Sequence, residues 1–386
     1  MAVSPAVDVN LIVYNSVHTI GAAIESVLQQ SWPAVSLTVL DNASTDGTHD
    51  VVQRYAASHP GIRVIRSRCN AGNGISIQRA FWHGHADYLM VKTGDDLIAP
   101  DYIEKLMAVL LKHPGCAMCH AAGLVFGGTD EIQYHYPPEH CLDATHPDPV
   151  ERAKYVMWRY TSAPSFWGVY RRDAVDRMSM IRYRAGSDHT MLAELALYGE
   201  IRHVAEPLFW RRGGGKPVMQ LARASTEQGN RGVPLDDILS EQRWRTPLIT
   251  TAYAHMEMFA AVRLPLPQRL ALLRAVPEIF RARWLPWLQR EAAALRSALP
   301  ELLQAIAAAG PVEAGWLARS VTDVLLGAQA LLPDEGFDND LLAVAAVGGE
   351  AAVTAKSAAD PAFNQGKQSP SSVRAIDTAA SLPPTQ

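Results

Sequence analysis

Cysteine is scarce: four in 386 residues, which gives no disulfide framework in a chain of this length. Long apolar runs are missing as well, since no window reaches the ~18 apolar residues that a membrane span needs. The richest stretch, PLITTAYAHMEMFAAVRLPLP, is broken by His255, Glu257 and Arg263. Charge of one sign is lacking too. A formal net charge of -4 argues against nucleic acid as the main partner. The start, MAVSPAVDVNLIVYN, has neither a basic head nor a long apolar stretch. It reads directly into a strand, so no signal peptide is expected. The expected location is cytoplasmic, with the inner face of the membrane as a peripheral option.

What is present is ample apolar material. The chain is 48% hydrophobic and 19% charged, enough for one large or two ordinary domains. DVNLIVYN, VSLTVLDN, IRVIRS and DYLMVKTG read as strands. HTIGAAIESVLQQSW, TDGTHDVVQRYAASHP and GISIQRAFWHGHA lie between them and read as helices, with Ile20, Ile24, Val27 and Leu28 on one face of the first. PDYIEKLMAVLLKHP is a helix opened by Pro100 and closed before Pro114, and CAMCHAAGLVF is a fifth strand. Strands separated by helices imply a parallel sheet with right-handed crossovers. From Gly127 to Pro164 the pattern weakens, and a loop or hairpin is expected. PSFWGVYRRDAVDRM then reads as a strand leading into a helix, SDHTMLAELALYG as a helix and IRHVAEPLFWRR as a strand. Pro234 to Leu332 is helical, and from Gly348 the Ala/Ser/Pro/Gln-rich tail is expected to be disordered.

In an open parallel sheet, ligands bind beyond the carboxyl ends of the strands. Four polar clusters map there: Tyr14-Asn15, Asp41-Asn42, Asn70 to Gly74, and Gly94-Asp95-Asp96. Asn, Asp and Gly also end strands for structural reasons, but four in succession, with Asp188 later, read as a site. Ser44 to Gly47 are assigned mostly to helix capping. Asp41 stands at the strand end, where it can accept from a base N–H or a ribose hydroxyl. Tyr14 can stack on that base; the plain alternative is a half-buried tyrosine.

LIVYN, VLDNASTDGT, NAGNG, TGDDLIAPDYIEKL and GSDHTMLAELALYG follow in that order. Together they resemble the family-2 glycosyltransferases, over roughly Val7 to Arg212. The resemblance implies the GT-A fold: α/β, with a Rossmann-like, mostly parallel sheet flanked by helices, then a C-terminal helical region and the tail. The expected division is residues 1–224 (donor half 1–126, acceptor half 127–224), 225–347 and 348–386. By the same resemblance Tyr14, Asn15 and Asp41 hold the nucleoside, often uridine, and Asn70 and Gly72 belong to the loop closing over it. Asp95 matches the aspartate of a D-x-D-like motif that binds Mg²⁺ or Mn²⁺ on the diphosphate. Asp188 matches the carboxylate that deprotonates the acceptor hydroxyl, with Ser187 in place of the usual glutamate before it. Asp96 supports the turn, bonds beside the cation or faces the donor sugar. Arg211 and Arg212 reach the diphosphate, or form a surface basic pair.

Such chemistry needs these groups. A cation neutralises the charge growing on the leaving diphosphate, and Mg²⁺ uses one or two carboxylates plus phosphates and waters. One base on the opposite face gives inversion without a covalent intermediate. The implied reaction moves a sugar from a nucleoside diphosphate, a UDP-sugar first, to a glycan or lipid-linked acceptor. Two departures stand out. Thr93 takes the place of an earlier aspartate, and Ile77 that of an arginine. Arg79 lies two residues on, ~200° around a helix. The alternatives are a nucleotidyltransferase and a non-catalytic binding module. CAMCH fits a haem-attachment pattern but sits where a buried strand belongs. QRW (Gln242 to Trp244) lacks the spacing of the synthase motif Q-x-x-R-W. The Arg- and Trp-rich segment around Trp284 and Trp287 is read as a helix packing on the catalytic domain or on another subunit. An anionic membrane surface is the alternative.

Overall fold

The computed structural model describes residues 4–127, 131–159, 163–179, 186–213 and 246–359. The first half alternates as the sequence predicts: β1 (Val7–Val13), α1 (Ile20–Leu28), β2 (Val35–Asp41), α2 (Thr48–Ser58), β3 (Ile62–Arg66), α3 (Gly72–Trp82) and β4 (Tyr88–Thr93). A two-residue β5 (Leu97–Ile98) precedes α4 (Tyr102–Lys112). β6 (Cys116–Phe126) and β7 (Ile132–His135) follow, then α5 (Pro149–Arg159), β8 (Val169–Arg171), α6 (Arg172–Val175), α7 (Ser187–Tyr198) and β9 (Glu200–Arg212).

The sheet order is β3-β2-β1-β4-β8-β6-β9-β5, with β7 beside β6. It is mostly parallel: β1, β2, β3, β4, β6 and β9 run one way, and β5, β7 and β8 oppose them. β1 is buried because helices cover both faces of the sheet; it is apolar towards one layer and turns Asp8, Asn10 and Ile12 to the other. Val7, Val9, Leu11 and Val13 pack with α1 and α4. Ile12 faces the other layer, which holds residues of α3, α5, α7 and the C-terminal helices. Asn10, fully buried on that side, donates to Ala80 O at 2.8 Å and His83 O at 2.9 Å, satisfying carbonyls at the end of α3.

The stretch from Gly127 to Pro164, expected to be a loop or hairpin, contains the β6–β7 hairpin and also a helix, α5. Pro149 suits the first helical turn, and Asp148 Oδ1 accepts from Val150 N at 2.8 Å. The buried face of α5 includes Val150, Ala153, Val156 and Met157, but also Arg152. Its guanidinium reaches the last turn of α7 through Ala196 O (2.7 Å) and holds His146 O (2.8 Å) and Pro147 O (3.1 Å). An arginine within the apolar stripe hides the helical period.

The C-terminal region is helical as predicted: α8 (Pro247–Ala261), α9 (Leu266–Ala308), α10 (Pro311–Leu331) and α11 (Asp338–Ala359). α9 carries Pro277, Pro286 and Pro300 and departs from helical backbone at Trp284. Pro286 explains the kink, since it removes one N–H bond and crowds the preceding turn. α9 packs on α5, where Arg283 donates to Met157 O at 2.6 Å. The Trp-rich segment thus packs on the sheet domain, as one of the expected readings had it. α8, the most apolar stretch, is amid the core: Ile249, Ala252, His255 and Phe259 are fully buried. Among the described residues no helix is long and apolar enough to cross a membrane. α11 runs through Gly348, where a disordered tail was expected to begin, as far as Ala359. The expected boundary at 224/225, the QRW stretch and residues 360–386 lie outside the described residues.

Candidate active site

Strand order reverses at β1, which has β2 on one side and β4 on the other. Such a reversal opens a crevice at the carboxyl ends of the strands, and the four polar clusters converge there. Asn15 and Ala43 adopt left-handed backbone (φ 48 and 63), turning the chain sharply out of β1 and β2. The turns bind one another. Asn15 N donates to Ser44 Oγ at 3.0 Å, and Thr45 N donates to Asn15 Oδ1 at 2.8 Å. Asn42 joins the second turn to the third: its amide donates to Asn70 Oδ1, and Ala71 N donates to Asn42 Oδ1 at 3.1 Å. Gly72 N also donates to Asn70 Oδ1, at 2.9 Å. Thr19 Oγ1 ties the first turn to the fourth through Gly94 O at 2.9 Å. Tyr14, Asn15, Asp41, Asn70 and Gly72 are thus brought to one edge. Of the residues assigned to capping, Asp46 serves α2 through Thr48 N (3.0 Å), while Ser44 braces Asn15 instead.

Asp41 has no exposed surface. Its Oδ1 accepts from Ser44 N at 2.9 Å; its Oδ2 faces His49 Nδ1 at 3.0 Å and Arg66 Nε at 3.4 Å. A nucleobase reaching this carboxylate would have to displace His49 or Arg66. Tyr14 is half-buried and Asn15 exposed, so both are accessible along the same edge. Sequence reading missed His49 and Arg66, whose partner Asp41 stands 8 and 25 positions away in the chain, beyond any local pattern.

The acidic turn separates its two aspartates. Asp95 is exposed, whereas Asp96 is 6% exposed. Asp96 accepts from Thr93 Oγ1 at 2.8 Å and from Arg212 N at 3.0 Å. Burial, with the Asp95 charge adding to it, pushes the Asp96 carboxyl up to about 6. Beneath the turn Lys92 is fully buried and donates to Thr93 O at 3.1 Å and to Asp96 O. Burial pulls its ammonium down to about 8 against the opposing pull of Asp96 and Asp95. Gly94 is required by space: a Cβ there would lie 2.8 Å from Val13 Cγ2. The end of β9 closes over the side, since Leu97 and Ile98 pair with Trp210 and Phe209 and Arg212 Nε donates to Asp95 O at 3.2 Å. The Arg212 guanidinium lies 4.5 Å from the Phe126 ring centre, and exposed Arg211 donates to Tyr136 at 3.1 Å. Lys92 was invisible in the sequence, where one lysine at the end of an apolar run reads as a surface residue.

This donor set fits a cation only in part. Thr93 is engaged by Asp96, and Asp96 is enclosed, which leaves Asp95 as the exposed carboxylate of the turn. Among the described residues no group of three or more His, Cys, Asp or Glu could enclose an ion. An Mg²⁺ or Mn²⁺ ion held by Asp95 and completed by diphosphate oxygens and waters is compatible with this turn. CAMCH is structural: Cys116, Cys119 and His120 are fully buried, and His120 Nε2 accepts from Leu142 N at 3.2 Å.

Asp188 stands half-buried in the first turn of α7, after Gly186, whose backbone is left-handed (φ 71). His189 N lies 2.9 Å from its Oδ1. The carboxylate is close enough to Tyr170 of β8 to help burial raise that phenol well above its usual range. Tyr170 in turn pairs with Leu89 of β4, the strand that ends in the acidic turn.

A nucleotide-type crevice, an acidic turn after β4 and a carboxylate at the head of α7 define a GT-A-like domain. Residues 8–179 match the model of Glycosyl transferase family 2. The match takes in less than half of the chain, and it is a similarity of that segment. Among curated proteins it is 36% identical over 123 residues to Putative glycosyltransferase EpsE of Bacillus subtilis, covering 32% of this chain and 44% of that one. It is 32% identical over 108 residues to Succinoglycan biosynthesis protein ExoO of Rhizobium meliloti, covering 28% and 30%. The chain thus spans less than half the length of either relative. Among solved structures it is similar to S. aureus TarS 1-349 in complex with UDP-GlcNAc, with TM-score 0.56 and 13% identity over 92% of this chain and 91% of that one. That likeness is one of fold.

Proposed function

We propose that the protein is an inverting glycosyltransferase that moves a sugar from a nucleoside diphosphate, a UDP-sugar first, to an acceptor hydroxyl in bacterial polysaccharide assembly. The carrying observation is the exposed Asp95 carboxylate in the crevice where strand order reverses, on a turn held by Lys92 from beneath and Arg212 from the side. The TarS structure bound to UDP-GlcNAc supports the donor class, and the name of the Rhizobium relative supports the pathway.

In this reading Tyr14 and Asn15 meet the nucleoside, and Asn70 and Gly72 flank it. Asp95 holds Mg²⁺ or Mn²⁺, which neutralises charge on the leaving diphosphate when bound. Asp96 keeps the turn in shape rather than meeting the cation, and Arg211, exposed beside the turn, faces the diphosphate. Asp188 takes the proton of the acceptor hydroxyl. The acceptor is a glycan or a lipid-linked one. Leu285 and Trp287, exposed beside the α9 kink with Arg290 over the Trp287 ring at 5.0 Å, support contact with an anionic membrane surface.

A thermal-shift screen of nucleotide sugars with and without Mn²⁺ tests the donor half. A UDP-sugar should raise the midpoint, Mn²⁺ should raise it further, and Asp95→Asn should lose the Mn²⁺ increment alone. No response to any nucleotide sugar would defeat the proposal.

A further inference from the structure

α7 and α8 both lie outside the family-matched residues 8–179, and α8 touches α7, the helix that carries Asp188. His255 of α8 is fully buried, and His189, the residue after Asp188, is buried against it. Their rings meet with His189 Nδ1 3.0 Å from His255 Nε2, edge to face, with centres 4.8 Å apart. His255 Nδ1 lies 2.8 Å from Thr251 O. A carbonyl oxygen only accepts, so the proton of His255 sits on Nδ1. Its Nε2 is then the acceptor, and His189 donates from Nδ1. The polarity of the pair is therefore fixed by the backbone of α8.

A second contact meets the same turn from the other side. At Gly186, two residues before Asp188, a Cβ would lie 2.1 Å from Thr251 Oγ1. The left-handed backbone at Gly186 (φ 71) also disfavours any side chain there. Thr251 Oγ1 is itself held by Pro247 O at 2.6 Å. α8 thus presses on the residue before Ser187 and grips the residue after Asp188. Phe280 and Trp284 of α9 close around the His pair.

We propose that His255 and Thr251, from the C-terminal helical region, are positioning residues for Asp188, so that the last helices complete the catalytic domain. This rests on the glycosyl-transfer reading of Asp188. A buried hydrogen bond between two packed rings fixes rotation about the head of α7, which packing alone leaves less defined. A carboxylate that must meet an acceptor hydroxyl is sensitive to such rotation, since a misplacement of ~1 Å can cost ~100-fold in rate.

The test uses the full chain and steady-state donor turnover. His255→Leu removes both hydrogen bonds; His255→Gln keeps an acceptor for His189. Ile249→Ala, on the same helix but facing Gly327 of α10, is a packing control. His255→Leu should lower kcat about 10-fold or more with the donor KM within about 2-fold, and His255→Gln should recover most of the loss. Ile249→Ala should lower the thermal midpoint with kcat largely kept. A normal kcat in folded His255→Leu would overturn the proposal. So would an equal kcat loss in Ile249→Ala, because the role would then be packing alone. If wild-type protein turns over no nucleotide sugar, the glycosyl-transfer reading itself falls, and this inference with it.

Discussion

Replacing Lys92 by methionine takes the ammonium from beneath the acidic turn while keeping an unbranched side chain of similar length. The change leaves the carbonyls of Thr93 and Asp96 without that donor. An unsatisfied buried acceptor costs ~1–3 kcal/mol. It also takes a positive charge from the surroundings of the buried Asp96 carboxylate. With two buried acceptors unmet and that charge gone, a loss of ~3 kcal/mol is expected. Asp96→Asn can still accept from Arg212 N but leaves the ammonium with Asp95 as its remaining carboxylate, and its loss should be ~1–3 kcal/mol. The double variant carries neither charge. Its cost should fall short of the sum of the singles by ~1–3 kcal/mol. The assay is urea unfolding followed by tryptophan fluorescence, since Trp210 pairs with Leu97 on this turn. Additivity within about 0.5 kcal/mol would refute the electrostatic account of the turn.

Three further outcomes are expected. Gly94→Ala should destabilise by ~1–3 kcal/mol, because the new methyl presses on Val13; calorimetry checks this, and a neutral effect would contradict the packing. Glu291 caps α8 by accepting from Leu248 N and Ile249 N (3.0 and 2.9 Å), and burial pushes its carboxyl from 4.5 up to about 7. The folded state therefore keeps a proton that the unfolded chain releases, so this group makes stability fall as pH rises from about 4.5 to about 7. Glu291→Gln should flatten the melting temperature over that window, and an unchanged slope would speak against it. Trp287→Ser should weaken sedimentation with phosphatidylglycerol vesicles while leaving donor turnover intact; equal sedimentation of the two proteins would remove the membrane contact.

The alternation from β1 to α4 was legible because buried parallel strands are short apolar runs and α4 buries Tyr102, Ile103, Leu106, Met107 and Leu110 at helical spacing. The acidic turn was legible from its place at a strand end. β5 was not, since two residues become a strand only by pairing with Phe209 and Trp210 of β9. α5 was hidden by Arg152, whose polar head is satisfied by carbonyls on α7 and the preceding loop. The different exposure of Asp95 and Asp96 was not legible: Arg212, far along the chain, bonds Asp96 by its backbone, while Asp95 stays exposed. Lys92, His49 and His255 share that difficulty, because each is defined by a partner that folding supplies. Periodicity reports which face a residue takes, not what it meets there.

The central claim is that Asp95 and Asp188 are two halves of one site. It is tested most directly by donor turnover in Asp188→Asn set beside its affinity for UDP in Mn²⁺. Affinity should stay within about 2-fold of wild type while kcat falls by about 100-fold or more, the scale of a lost general base. Unchanged turnover in a folded Asp188→Asn protein would contradict the account.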